Sequence, residues 1–141
     1  MTRSTTKLKE LIFTKLNNDT ALRSLLGGLN KIKHANPLQK SDYPCVVYSL
    51  YIDIDNPYNI DNANSEVVKT RLHVEVFTED TSSKIADSIE DRIYYLLNGK
   101  KLSNTNYLVY TCYRVSREEI YEPDIETWRI LTKYDLTNVP K

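Results

Sequence analysis

The stretch Glu66–Gly99, EVVKTRLHVEVFTEDTSSKIADSIEDRIYYLLNG, changes its hydrophobic period halfway along, and that change decides the fold. In its first half Val68, Thr70, Leu72, Val74 and Val76 alternate with Lys69, Arg71, His73, Glu75 and Phe77. Successive side chains of an extended strand point to opposite sides, so the first set makes a core face and the second an outward face. In its second half Ile85, Ala86, Ile89, Ile93, Leu96 and Leu97 recur at helical spacing with charge between them. The pattern predicts a strand at about 66–78, a helix at about 82–98 and a stop at Gly99. An apolar strand face and an apolar helical stripe bury each other, which defines a two-layer core.

Upstream, Thr5 or Thr6 is placed to cap a first helix with the stripe Leu8, Leu11, Ile12 and Leu16. Asp19 reads as the cap of a short second helix, with Leu22, Leu25 and Leu26 facing inward and Gly27 ending it. Residues 28–42 read as a loop with a short extended piece near Ile32. Pro44 then opens a strand, CVVYSLYIDI, with Val46, Tyr48, Leu50 and Ile52 on one side and Cys45, Val47, Ser49 and Tyr51 on the other. The turn-forming, Asp- and Asn-rich residues 53–65 read as the long tip of a hairpin.

Downstream, 100–106 is expected as a turn. Tyr107–Val115 is expected as a strand with Leu108, Tyr110 and Cys112 on one face. A second turn follows in REEIYEPD, then a last strand at about 125–137 and a short tail, 138–141. In the last strand Trp128, Ile130, Thr132, Tyr134 and Leu136 alternate with Arg129, Leu131, Lys133 and Asp135. The whole predicts one α+β domain over 1–141: a four-stranded, mainly antiparallel sheet of two hairpins, one long helix packed on a face, and N-terminal helices completing the core.

Nineteen basic and nineteen acidic residues cancel over 141 positions, so the overall charge does not mark a nucleic-acid binder. Eleven tyrosines against two phenylalanines favour half-buried strands or protein interfaces, where a large ring with a polar tip is useful. Cys45 and Cys112 fall inside strands and are expected as buried thiols. The N-terminus, MTRSTTKLKELIF, has no apolar run followed by small residues, so no secretory leader is expected. No run approaches the roughly 18 apolar residues of a membrane span.

The chain carries no catalytic signature. His34 sits in a polar loop, and His73, between Arg71 and Glu75, reads as a surface partner more readily than as a base. Neither a G-x-S-x-G elbow nor a Cys–His pattern accompanies Ser49 or the cysteines. No phosphate-binding glycine loop occurs. Asp53, Asp55 and Asp61 invite a calcium loop. A frame starting at Asp55 puts Glu66 at its last position, but it puts Pro57 at the third and Ile60 where glycine is required. Catalytic, metal and cofactor sites are therefore not expected. The modest basic cluster Lys31, Lys33, His34 and Lys40 reads as a solvated loop.

The order of packing motifs is itself informative. D-x-A-L-x-x-L-L-G-G at Asp19–Gly28 precedes Y-P-C-V-V-Y at Tyr43–Tyr48 and L-H-V-E-V-F-T at Leu72–Thr78. A helix with Ala86, Ile89, Ile93 and Leu97 in register follows, then W-R-I-L-T-K-Y-D-L at Trp128–Leu136. Over nearly its whole length the chain resembles the tail-completion proteins of long-tailed bacteriophages, the group of tail terminators and tail-to-head joining proteins. It departs in its long Asn-rich tip, 53–65, and its short C-terminal tail.

The resemblance implies a structural virion protein without enzymatic activity, made in the bacterial host cytoplasm and carried at the head–tail junction. It implies a homo-oligomeric ring of about six subunits, closed by heterologous contacts. Such a ring ends the tail tube and meets the head connector, with tail-tube and neck proteins as partners, no membrane, and DNA passing through the lumen without sequence recognition. Arg71, His73, Glu75 and Phe77 are then the expected subunit interface, and Asp55, Tyr58 and Asp61 the expected partner-contacting loop. The competing expectation is a small cytoplasmic α+β domain that binds or regulates another protein.

Overall fold

The computed structural model describes residues 5–28, 30–34, 43–52, 68–79, 83–105 and 107–140. In chain order these form α1 (Thr5–Asn17), α2 (Thr20–Leu26), β1 (Ile32–His34), β2 (Cys45–Ile52), β3 (Val68–Thr78), α3 (Lys84–Leu97), β4 (Leu102–Ser103), β5 (Tyr107–Glu122) and β6 (Thr127–Pro140). The Asp19 carboxylate caps α2 by accepting the Leu22 N–H at 2.9 Å, which satisfies a donor the helix leaves open. Gly27, at φ 82°, closes it in a left-handed turn. Gly99, at φ 73°, turns the chain out of α3 and donates its N–H to the Cys112 carbonyl at 2.7 Å, tying the helix end to β5.

The sheet is mixed and six-stranded, in the order β1-β2-β3-β6-β5-β4. The four expected strands occupy its middle, each antiparallel to the next of the four. The four-stranded expectation is corrected at both margins. β1, the extended piece near Ile32, adds parallel to β2, and the two-residue β4 adds antiparallel to β5 within the stretch read as a turn. Segments this short carry no readable alternation. The single long helix is corrected too: α1, with 13 residues, nearly equals α3, with 14, and buries all of Leu8, Leu11, Ile12 and Leu16.

All three helices join one core with β-face residues Val46, Tyr48, Leu72, Val74, Val76, Ile130, Tyr134 and Leu136. Two apolar positions break the expected stripes. Leu25 and Ile85 are exposed, because their helices turn Leu22 and Leu26, or Ala86 and Ile89, to the core instead.

β5 departs furthest from expectation. It runs to Glu122, and Arg117–Glu122, read as part of a turn, pairs with Thr127–Thr132. The connection is only 123–126. The register slips between Val109 and Thr111 and again between Arg114 and Ser116. Each slip inserts a residue with no partner on β6, a β-bulge, so strict alternation fails. Val109 and Cys112 are therefore both fully buried, while Tyr110 is half exposed rather than sharing their face. β6 likewise continues to Pro140, taking in most of the stretch read as a tail, and buried Asn138 accepts a hydrogen bond from Thr70 Oγ1 at 3.0 Å. The hairpin tip 53–65 lies outside the described residues.

Candidate interaction surface

The helices lie on one side of the sheet, and among the described residues no helix lies on the second face. The strand pairing builds that face in rows. Tyr51, Arg71, Asp135 and Tyr113 stand side by side; Ser49, His73, Lys133 and Ser116 form the next row; Val47, Glu75, Leu131 and Glu118 form a third. Arg71, His73, Glu75 and Phe77 are thus brought onto one face by β3 alone, as alternation dictates.

Cross-strand pairs organise the charges. The Arg71 guanidinium donates from Nε and Nη2 to the two Asp135 carboxylate oxygens at 2.8 and 3.3 Å. Arg129 Nε lies 3.0 Å from Glu75 Oε2, and its Nη1 donates to Glu122 at 3.2 Å. Lys69 Nζ donates to Thr137 Oγ1 at 3.1 Å. Rings fill the gaps: Tyr51 lies against His73 at 4.4 Å between centroids, and Tyr43 stacks on Phe77 at 5.6 Å. Partial burial lowers the His73 pKa, and the Lys133 and Arg71 charges lower it further, so the surroundings favour the neutral ring. Asp55, Tyr58 and Asp61 lie outside the described residues.

The helix side carries a polar cluster absent from the sequence expectations. Glu90 is 1% exposed, inside the α3 stripe. It accepts from Arg114 Nη1 at 2.6 Å and from Arg117 Nε at 3.2 Å, and Arg117 Nη2 also donates to Asp87 at 2.7 Å. The Arg114 guanidinium lies 4.2 Å over the Tyr94 ring, and its backbone N–H donates to Asn98 Oδ1 at 2.8 Å. Asp19 is gripped in the same way by Arg92, at 2.7 and 2.8 Å, which holds its carboxyl below the usual range. One signal was available in the sequence. A carboxylate between Ala86, Ile89 and Ile93 needs a cation, because a lone buried charge is prohibitively costly.

The chemistry offered elsewhere is slight. Burial pushes the Cys112 thiol up to about 12, which keeps it protonated and a poor nucleophile. Burial also lowers His34, with Lys9 adding to the effect, and His34 packs edge-on to Tyr48 at 5.3 Å. A groove of about 410 Å³ lies where Leu11, Lys15, Asp19, Leu96 and Lys101 meet, and its one carboxylate is the Asp19 already held by Arg92. Among the described residues no three His, Cys, Asp or Glu side chains group to hold a metal, and no helix is long and apolar enough to cross a membrane.

No protein-family model and no curated protein matches the chain. Its fold does match a solved structure. A chain described as part of the virion of a native gene transfer agent particle superposes with a TM-score of 0.77 over 95% of both chains, at 14% identity. The two share an architecture from end to end.

Proposed function

We propose that this chain is a structural, non-enzymatic protein of a phage-like virion. In this proposal it forms a ring at the neck or tail end, terminates the tail tube and joins the tail to the head connector. The observation that carries the proposal is the end-to-end fold match with a chain of a gene transfer agent virion. The order of packing motifs from Asp19 to Leu136 points to the same tail-completion role. The open sheet face, with Arg71, His73, Glu75 and Phe77, is the surface offered to the neighbouring virion subunit, and the 53–65 tip with Asp55, Tyr58 and Asp61 reaches the tube or connector protein. A ring of about six copies, closed by heterologous contacts, leaves a lumen through which DNA passes.

Mass spectrometry of purified particles tests the location, and light scattering with and without tail-tube protein tests the assembly. A chain absent from particles, and monomeric even with tube protein present, overturns the proposal. Removing residues 55–64 should leave the thermal unfolding transition in place and impair head–tail joining in vitro. Unfolding on that deletion would place the loop in the core.

A further inference from the structure

The two margins of the sheet carry opposite charge, although the chain as a whole is neutral. At the β5 margin Glu118, Glu119 and Glu122 lie on the strand, the last two paired with Arg117 and Arg129, and Asp124 and Glu126 lie in the turn that follows. Glu118, Asp124 and Glu126 form no ion pair among the described residues. Beyond Arg114 this strand pairs only with β6, so its outer backbone edge is open among the described residues. The corner is also unusual in its backbone: Glu126 adopts φ 50°, which a non-glycine residue rarely takes, and Tyr121 and Ile125 beside it are exposed. At the opposite margin β1 carries Lys33, with Lys31 before it and Lys9 of α1 close enough to help lower the His34 pKa. Lys9 and Lys33 form no ion pair among the described residues.

The two margins also match in level and direction. Lys33 pairs with Val47, Val47 with Glu75, Glu75 with Leu131, and Leu131 with Glu118, so a single row of the open face begins in a lysine and ends in a glutamate. β1 runs with β2 and β6, against β3 and β5. Rotating a second copy about an axis along the strands therefore sets its β1 antiparallel to the first copy's β5, with Lys33 level with Glu118. Charge at a sheet edge commonly keeps chains apart. Here like margins repel and unlike margins attract, which disfavours two-fold pairing and favours head-to-tail order.

We infer that the acidic β5 edge of one copy docks on the basic β1 edge of the next, with Glu118 facing Lys33. This inference rests on the ring proposal and deepens it. It gives the side-by-side contact to the sheet edges in place of the Arg71–Phe77 face, which then points along the ring's radius.

Charge reversal tests it. Glu118→Lys and Lys33→Glu, each alone, should weaken self-association by about tenfold or more, because each sets like charges together. An equimolar mixture of the two variants should recover wild-type assembly in native mass spectrometry, with the two chains alternating. Variants that assemble as the wild type does overturn the edge contact and leave the ring proposal standing. Wild-type chain that stays monomeric, with and without tube protein, overturns the ring proposal itself. Should either variant fail to fold, salt titration of the wild type decides: assembly that weakens with salt supports the edge contact, and salt-insensitive assembly overturns it.

Discussion

The two faces of the sheet both carry arginine–carboxylate pairs, and the pairs differ in what surrounds them. On the helix side Glu90 is sealed from water, with Arg114 and Arg117 folded over it from β5. On the open side the Arg71 and Asp135 side chains keep 49% and 45% of their exposure. The geometry is similar and the energetics are not. A carboxylate removed from water depends on its partners, and losing them leaves an uncompensated charge. A half-solvated pair exchanges protein contacts for water at little cost. The helix side therefore holds the fold, and the open side is free to take part in recognition.

Substitutions break this contrast in graded steps. The largest effect is expected from Ile89→Asp, which puts an unpaired charge where α3 meets the sheet and should cost more than about 4 kcal/mol, enough to abolish the cooperative transition in circular dichroism. Glu90→Ala should follow at about 2–4 kcal/mol by urea denaturation, since it takes from Arg114 its carboxylate and leaves Arg117 only Asp87 and Glu119.

Asp19→Asn should cost about 1 kcal/mol at neutral pH, and the cost depends on pH. Arg92 lowers the Asp19 pKa from the usual 3.8, so the ionised carboxylate stabilises the fold above that range. The wild-type advantage shrinks as the pH falls through the lowered value, and melts at acid pH should bring the two proteins together. His73 acts at higher pH. Its lowered pKa means that protonation favours the unfolded chain, so stability declines as the pH drops below 6.5, and His73→Gln should flatten that decline. Arg71→Ala should be smallest, within about 0.5 kcal/mol. A loss for Arg71→Ala comparable to Glu90→Ala would erase the contrast between the faces.

The two central strands were legible because β3 and β6 alternate without interruption, and α3 because its stripe is continuous. β5 was not legible past Val115. Arg117, Glu118 and Glu119 are a charged run of the kind that usually marks a turn, and what holds them in a strand is pairing with β6 and, for Arg117, a carboxylate 27 residues earlier. Pairing partners so far apart leave no local trace. The candidate face was legible for the same reason as β3, since one strand's alternation places all four of its residues. The Glu90 cluster was missed because its arginines straddle a bulge and stand three residues apart, where a regular strand would space them by two.

Those bulges also bear on descent. Tyr110 and Val115 have no partner on β6 and are half exposed, so β5 carries two spare residues. A lineage that loses one of them shortens the chain and keeps every downstream side chain on its own face. The same loss inside bulge-free β3 reverses all that follows. Length variation among relatives should therefore gather at these two points, and an alignment that places its gaps there will keep Arg114 and Arg117 in phase with Glu90.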